Sequence, residues 1–152
     1  VQKYKVGNIK TKREVYHFYI KNTKKINNWD LVDVTTPNIV GDYLKDKNKA
    51  ILYAFARCGN LWERRIAMLA TFAFIREGNL NDSLKISKIL LLDSEDLIHK
   101  ANGWMLREVG KKDLVRLEKF LSENIKKIPR TTLRYAVERF TEKKRKEYLN
   151  KR

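Results

Sequence analysis

The sequence has few of the residues that cross-link a chain or hold a metal. Its 152 residues include one cysteine, Cys58, and two histidines, His17 and His99. A single cysteine excludes an internal disulfide and fits a reducing compartment. The histidines are far apart and have no ligand-type residues beside them, so we expect no structural metal site.

Long apolar runs are also absent. No stretch approaches the ~18 apolar residues that a membrane-spanning helix needs, and no signal-peptide pattern occurs. The sequence therefore predicts a cytoplasmic protein without a membrane-bound part. The chain begins at Val1, without a methionine and directly in a lysine-rich run, so we also expect that an N-terminal part is missing.

Acidic residues are scarce at both ends of the chain. In total, 34 Lys and Arg residues stand against 18 Asp and Glu residues, which gives a net charge of +16. Residues 1–28 contain eight basic and one acidic residue, residues 111–152 contain fifteen and six, and residues 29–110 contain eleven of each. This excess makes nucleic acid the first partner to consider, ahead of an anionic membrane or ribosomal RNA.

Helix-breaking residues are rare, with two prolines and six glycines, and no alternating strand pattern occurs. The sequence therefore predicts an all-α protein. The three tryptophans, at positions 29, 62 and 104, are 33 and 42 residues apart. This spacing and the short predicted loops favour an α-α superhelix, a solenoid of HEAT-like antiparallel helix pairs, in a single domain over 1–152. A globular helical bundle is the alternative.

Capping and stop signals predict where the helices lie. Thr11 caps a first helix with Val15, Phe18 and Tyr19 on its apolar side. Asn27 caps a short second helix, and after a break Thr36-Pro37 starts a third. The predicted limits are 11–26, 27 to the break before 36, 36–44, 47–58, 61–77, a helix capped by Asn81 or Asp82 that runs to 92, 95–109 with Gly110 as its stop, 112–125, 130–140 and 141–149.

Trp104 lies in a basic stripe of one predicted helix. An aromatic side chain among cations is typical of a groove that holds a nucleic-acid backbone and stacks on a sugar or base. Alternatively, Trp104 covers the edge of the core and the basic residues are merely solvated. The stripe follows the spacing i, i+4, i+7, i+11 and consists of Lys100, Trp104, Arg107 and Lys111, with Ile98, Ala101, Met105 and Val109 on the opposite face.

The stretch 27–33 combines a tryptophan with two carboxylates. Trp29 and Asp33 are four residues apart and share one face of a short helix. Asp30 has an ordinary explanation, since it can complete a reciprocal cap with Asn27 and complement the helix dipole. Asp33 lies near the end of the short helix, where the dipole disfavours a negative charge, so it is a candidate site residue.

Two arginines follow the second tryptophan. The neighbours of Trp62 on its helix face are mostly apolar, so we expect Trp62 to pack. Arg65 also lies among apolar residues, and an unpaired buried charge costs several kcal/mol. We therefore expect Arg64 or Arg65 to pair with a carboxylate of the stretch 27–33, and helix phase does not decide which.

A single carboxylate between aromatic faces suits one particular reaction. Ordinary glycosidases use two carboxyl groups, one of which protonates the leaving oxygen. A purine alkylated at N3 or N7 already carries the positive charge and leaves without being protonated. The enzyme then needs to stabilise the sugar cation, which aromatic faces and one aspartate can do, and to hold a water. No metal or cofactor is required.

Three motifs, in this order, resemble those of the bacterial DNA alkylation repair family, the AlkD-like HEAT-repeat DNA glycosylases. They are 28–33 (NWDLVD), 61–65 (LWERR) and 100–108 (KANGWMLRE), and 129–135 (PRTTLRY) fits less sharply. The resemblance covers most of residues 10–150. It implies a curved array of helix pairs whose concave basic face holds duplex DNA, although family members usually have more residues before the first motif.

The activity implied by the resemblance is hydrolysis of the N-glycosidic bond of N3- or N7-alkylated purines, such as 3-methyladenine and 7-methylguanine. By position, Asp33 would be the catalytic aspartate, Trp29 and Trp104 the aromatic pair against the sugar, and Arg65 the paired basic residue, with Arg64 as the fallback. We expect a monomer that binds double-stranded DNA through Arg64, Lys100, Arg107, Lys111, Arg130 and Arg134.

Two other functions fit part of the sequence. A non-catalytic HEAT-like module that binds bent or branched DNA would use the same basic faces, but it has no use for a carboxylate facing phosphates. An α-solenoid scaffold for another protein predicts an apolar concave groove, whereas the stripe from Lys100 to Lys111 is cationic.

Overall fold

The computed structural model describes residues 1–151, and this part of the chain contains helices and no strand. The prediction of an all-α protein is therefore confirmed. The α-helices are α1 (Gln2–Val6), α2 (Ile9–Lys21), α3 (Trp29–Thr36), α4 (Asp42–Leu44), α5 (Ala50–Ala56), α6 (Leu61–Arg76), α7 (Asn81–Leu90), α8 (Asp96–Lys112), α9 (Leu114–Asn124), α10 (Arg130–Ala136) and α11 (Glu142–Asn150), with a 3₁₀ turn at Thr23–Lys25 and a π-helix at Pro37–Gly41.

Helix α6 is the central element of the core. Eleven of its sixteen residues are buried, because apolar side chains occupy nearly its whole circumference. The Asn60 side chain caps its start by accepting hydrogen bonds from the backbone N–H groups of Trp62 and Glu63. After its end, Gly78 takes a φ of +82°, a conformation that glycine adopts without a Cβ penalty.

Four helices pack side by side in a row. Helix α3 packs on α6, α6 on α8, and α8 on α10, while α5, α7 and α9 pack against members of this row. Alternate helices of the chain therefore share one layer. The superhelical form of the array stays a prediction.

The first long helix begins earlier and ends sooner than the sequence predicted. Its N-cap is Asn8, whose side chain accepts a hydrogen bond from the Thr11 backbone N–H at 3.0 Å. Thr11 therefore lies inside the helix. The helix ends at Lys21 because the Asn22 side chain donates to the Phe18 carbonyl and occupies an acceptor at the helix end.

The apolar side assigned to this helix was partly wrong. Tyr16 and Tyr19 are buried, whereas Phe18 is 71 % exposed. The buried pair is separated by three residues, and this places Phe18 on the outward face. The Tyr16 ring stacks on Tyr43 with a centroid distance of 4.0 Å.

The predicted break at Thr36-Pro37 does not exist. The chain stays helical from α3 through the π-helix into α4, and Thr36 is a buried helical residue. Pro37 has no N–H to donate, and the wider π-turn is one way for a helix to continue past the missing hydrogen bond. Tertiary contacts hold the segment, since the hydroxyls of Thr36 and Tyr19 lie 2.9 Å apart.

Gly110 does not stop helix α8, which continues to Lys112. A Cβ at Gly110 would lie 2.4 Å from the Leu117 Cδ2 atom. The glycine thus allows α8 and α9 to approach closely. The side chain of Asp113 then caps α9 by accepting from the Arg116 N–H at 3.0 Å. The other predicted helix limits agree with the structure to within four residues.

Candidate active site

The row of four helices lines a cleft of about 430 Å³, here called the central cleft. Each helix of the row contributes at least one side chain, although the four are distant in sequence. The lining residues are Trp29 and Asp33 from α3, Arg65 from α6, Leu97, Lys100, Trp104 and Arg107 from α8, and Tyr135 from α10. The structure thus brings together the four residues predicted to carry the chemistry.

Asp33 and Arg65 form a two-point ion pair in this cleft. The Arg65 Nε and NH2 groups donate to the two carboxylate oxygens of Asp33, each at 2.9 Å. The remaining guanidinium nitrogen, NH1, donates to the Leu97 carbonyl of α8. Arg65 is only 5 % exposed, and such a buried charge is tolerated when it is paired and hydrogen-bonded.

Arg64 is not the partner of Asp33. Its Nε donates to the Asp93 carboxylate at 2.6 Å, and its NH1 donates to the Cys58 carbonyl at 3.2 Å. Arg64 and Arg65 are consecutive on one helix and therefore point to different faces. The expectation that one of the two meets the first motif is correct, and the partner is Arg65.

The reasoning that selected Asp33 has to be corrected. The helix does not end after Asp33, because the π-helix and α4 extend it to Leu44, so an unfavourable helix dipole does not single this residue out. The cap of α3 is also Asn28 and not Asn27, since the Asn28 side chain accepts from the Asp30 N–H at 2.8 Å. What distinguishes Asp33 is its bidentate pairing with Arg65 inside a cleft.

The two cleft tryptophans differ in how firmly they are held. Trp29 is 52 % exposed, at the start of α3. Trp104 is partly buried, packs against the core and tilts against the Phe72 ring at a centroid distance of 5.7 Å. Trp62 packs against the core and is not a lining residue of the central cleft. Trp104 therefore both covers the core edge and lines the cleft.

Part of the basic stripe of α8 lines the central cleft, and part of it lies outside. Lys100 and Arg107 line the central cleft, whereas Lys111 does not and instead contacts Glu108 at 2.9 Å. The Lys100 ammonium lies 3.0 Å from Asp96, and this hydrogen bond raises the pKa of Lys100 above its ordinary value. Lys100 is therefore a firmly protonated cation at the cleft.

The two predicted DNA-binding arginines of α10 lie outside the central cleft. Arg130 donates from NH1 to the Leu149 carbonyl and so ties α10 to the end of α11. Arg134 is exposed and lines a neighbouring cleft. Neither residue touches the Asp33–Arg65 pair.

A buried tyrosine of α2, Tyr19, contacts the C-terminal end of α3. The Tyr19 hydroxyl is 2.9 Å from both the Thr35 and the Thr36 hydroxyl oxygens. Burial raises the pKa of Tyr19; the two threonine hydrogen bonds lower it, and the Asp33 charge adds to the rise. The tyrosine therefore remains neutral at neutral pH, and its hydroxyl is hydrogen-bonded to the C-terminal end of α3.

Tyr135 and Leu97 were not predicted as site residues. The Leu97 backbone carbonyl accepts a hydrogen bond from Arg65. Because this is a backbone group, the side-chain pattern of the sequence cannot predict it. Tyr135 closes the cleft from α10, and a Cβ at Gly103 would lie 2.5 Å from the Tyr135 Cβ atom. The only sequence signal for Tyr135 is its position at the end of the motif 129–135.

Two further findings concern residues 1–151. No group of three or more His, Cys, Asp or Glu side chains in this range is arranged to hold a metal ion. No helix in the same range is long and apolar enough to cross a lipid bilayer.

An all-helical chain with a net charge of +16 and a cleft lined by aromatic and cationic side chains has the character of a nucleic-acid-binding protein. The comparison with protein families is more specific. The chain belongs to the DNA alkylation repair enzyme family, whose model matches residues 2–140. The match confirms the family resemblance and assigns a DNA repair role, with DNA as the partner. No curated protein sequence matches the chain.

Proposed function

We propose that this protein is a monofunctional DNA glycosylase that hydrolyses the N-glycosidic bond of N3- or N7-alkylated purines in duplex DNA. One observation carries the proposal. The Asp33 carboxylate is held at two points by Arg65 in a cleft that Trp29 and Trp104 also line. The products would be the free base, such as 3-methyladenine or 7-methylguanine, and an abasic site.

The cleft offers one carboxylate, and the proposed reaction needs only one. Asp33 is the single acidic residue among the lining side chains. Protonation of the leaving group is unnecessary, because an alkylated purine departs as a neutral base and leaves the positive charge on the sugar. A carboxylate opposite that sugar stabilises the developing cation and accepts a proton from the attacking water.

The tryptophans supply a second source of cation stabilisation. The face of an indole ring attracts a positive charge by about 0.5–2 kcal/mol. Trp29 and Trp104 come from different helices, α3 and α8, so they can border the sugar from two sides. Their attraction for the sugar grows as the glycosidic bond breaks, because positive charge develops on the sugar.

Arg65 acts through Asp33 and is a positioning residue. Its guanidinium uses all three nitrogens, two on Asp33 and one on the Leu97 carbonyl. The planar fork fixes the orientation of the carboxylate. Because Leu97 belongs to α8 and Asp33 to α3, this arginine also sets the spacing between the two walls of the cleft.

Cations around the cleft fit the phosphates of a duplex. Lys100 and Arg107 line the cleft itself, and Arg134 lies beside it. We propose that these three contact the DNA backbone. Lys111 and Arg130 do not line the central cleft and contribute to the positive potential, and Arg64 serves mainly its ion pair with Asp93.

The test is release of the alkylated base by the Asp33→Asn variant. We expect base release from methylated duplex DNA to fall below detection, because the amide carries no charge to oppose the sugar cation. Binding to a duplex with an abasic-site analogue should remain within a few-fold of wild type. Chromatography of the released bases and fluorescence anisotropy measure the two quantities.

Asp30→Asn is the matched control. Asp30 lies on the same helix but is exposed in its first turn, so its variant should retain full base release. Equal release by Asp33→Asn and wild type would refute the catalytic role of Asp33. Tight binding without base release by the wild type itself would instead identify a non-catalytic DNA-binding module.

A further inference from the structure

A second cleft lies beside the central cleft. It also has a volume of about 430 Å³ and is here called the C-terminal cleft, lined by Arg107, Arg134, Tyr135, Glu138, Arg145 and Leu149. Arg107 and Tyr135 line both clefts. The two spaces therefore meet at these side chains and can be occupied by consecutive parts of one ligand.

The charge of the C-terminal cleft is strongly positive. Three of its six lining residues are arginines, and Glu138 is the only acidic one. Within residues 1–151, Arg134 and Arg145 form no ion pair within 4.0 Å, and both side chains are exposed. Two guanidinium groups thus face the cleft without an anionic partner.

Arg107 is incompletely satisfied at the junction of the clefts. Its NH1 donates to Glu138, while its Nε is buried without a hydrogen-bond partner and lies 3.9 Å from Glu108. The Glu138 side chain is 55 % exposed, against 23 % for Arg107. The glutamate can therefore swing into solvent while the arginine stays in place.

A hydrogen bond connects α10 and α11, which form two sides of the C-terminal cleft. Arg130 of α10 donates to the Leu149 carbonyl, and Arg145 and Leu149 lie one turn apart on α11. The positions of Arg134 and Arg145 relative to each other therefore depend on packing between α10 and α11. Three arginines from three helices thus line one cleft.

We propose that the C-terminal cleft binds one backbone phosphate next to the damaged nucleotide, and that Glu138 holds the place of that phosphate on Arg107 in the free protein. The inference rests on the proposed function, because it assigns the damaged nucleotide to the central cleft. A phosphate is the anion that guanidinium forks recognise at two points. Tyr135 then separates the sugar site from the phosphate site.

The experiment measures the affinity for a duplex that contains a tetrahydrofuran abasic-site analogue. Arg134→Gln/Arg145→Gln removes two charges from the cleft, and Lys143→Gln/Lys146→Gln removes two from exposed positions of α11 outside it. We expect the arginine variant to bind about 10-fold more weakly, because charge-assisted hydrogen bonds to a phosphate strengthen binding more than neutral ones do. The lysine variant should lose clearly less.

Glu138→Gln provides a test in the opposite direction. Because the internal anion is gone, binding should tighten by about 2- to 5-fold, the range expected for releasing an exposed ion pair. A merely structural Arg107–Glu138 pair would instead give unchanged or weaker binding. Thermal melting measured by circular dichroism is the folding control, and the variants should melt at the same temperature as the wild type.

Neutral methylphosphonates locate the phosphate. A methylphosphonate replaces one phosphate at a time around the abasic analogue. At one of these positions, we expect the replacement to weaken binding by the wild type but to cause little further loss for Arg134→Gln/Arg145→Gln. The inference would be overturned if, at every methylphosphonate position, the arginine variant and the lysine variant lost the same affinity. These measurements report binding and need no base release. Failure of the glycosylase proposal would give a different result, because the protein would still bind DNA but the methylated base would stay on it.

Discussion

At the scale of single residues, Arg65 shows how a charge can be buried in a mostly apolar core helix. Its three guanidinium nitrogens all have acceptors, two on Asp33 and one on the Leu97 carbonyl. Removing one member of a buried pair typically costs about 3–5 kcal/mol, because the other charge is left alone. Asp33 is the less buried partner, with 18 % of its side chain exposed against 6 % for Arg65, so loss of Arg65 leaves the better-solvated charge behind.

The sequence justified a paired arginine but could not choose between two neighbours. The cost of an unpaired buried charge applies to any arginine in an apolar segment. Arg64 meets the same requirement with Asp93, twenty-nine residues further along the chain. Which carboxylate meets which arginine depends on how α3, α6 and the segment after α7 come together.

Trp29→Ala tests the aromatic contribution at one residue. The side chain is about half exposed, so we expect the free energy of unfolding to change by only about 0.5 kcal/mol. Base release should fall about 10-fold, as the loss of one cation–π contact with the sugar predicts. Single-turnover base release and urea unfolding measure the two effects.

Trp62→Phe is the matched control for that prediction. Trp62 packs on the core and is not a lining residue of the central cleft, so its variant should lose stability and keep its rate of base release. A normal rate for Trp29→Ala would show that the Trp29 side chain makes no contribution to base release.

At the scale of helices, glycine sets the distance between α8 and α10. Asn102-Gly103 is a dipeptide that commonly forms hairpin turns, yet it lies in the middle of α8. A Cβ at Gly103 would lie 2.5 Å from the Tyr135 Cβ atom and 2.7 Å from the Thr132 carbonyl oxygen. The Asn102 side chain is satisfied internally, since it donates to the Ser87 carbonyl at 3.1 Å. Packing therefore overrides the local preference.

Gly103→Ala should destabilise the protein despite the better helix propensity of alanine. The propensity gain is about 1 kcal/mol, whereas overpacking against backbone atoms costs about 1–3 kcal/mol. We expect a net loss in the free energy of unfolding together with weaker binding of abasic-site DNA, because Tyr135 and α10 are displaced. Urea unfolding and anisotropy give these values.

Gly59→Ala serves as the comparison for Gly103→Ala. A Cβ at Gly59 would have no heavy atom within 4 Å, so its effect should stay within about 0.5 kcal/mol. The same stability for the two variants would show that α8 and α10 can separate without cost.

The π-helix is the element that the sequence predicted least well. Thr36-Pro37 has the pattern of a helix start, and that pattern misled the prediction of a break. A Cβ at Gly41 would lie 2.4 Å from the Ala70 carbonyl oxygen, so this segment is pressed against α6. Contact with α6 keeps the segment helical across Pro37 and fixes the end of the helix that carries Asp33.

At the scale of the whole molecule, charge and packing point to the same face. The row α3, α6, α8 and α10 places the aromatic and cationic lining residues side by side. The net charge of +16 attracts DNA to the protein as a whole, and Lys100 and Arg107 are cations at the cleft itself. A duplex that lies across the row would therefore release counterions as it binds.

Salt dependence measures this property of the whole chain. If about four phosphates are contacted, the logarithm of the affinity should fall with the logarithm of the salt concentration with a slope of about −3 or steeper. Affinity for an undamaged duplex would then drop at least about 60-fold between 50 and 200 mM salt. Anisotropy titrations over that range check the slope, with circular dichroism at each salt concentration as the folding control. A slope shallower than about −1 would contradict a groove that follows the phosphates.

The sequence by itself determined the helical class, the basic character and the motifs that carry the family resemblance. These depend on composition, on helix periodicity and on local spacing, which act within one or two turns of chain. It also singled out Asp33, Trp29, Trp104 and the arginine pair. The tertiary structure decided that Arg65 pairs with Asp33, that Tyr135 and the Leu97 carbonyl join the cleft, and that Pro37 lies within a continuous helix. Those outcomes depend on contacts between helices that are distant in sequence, so local pattern could not predict them.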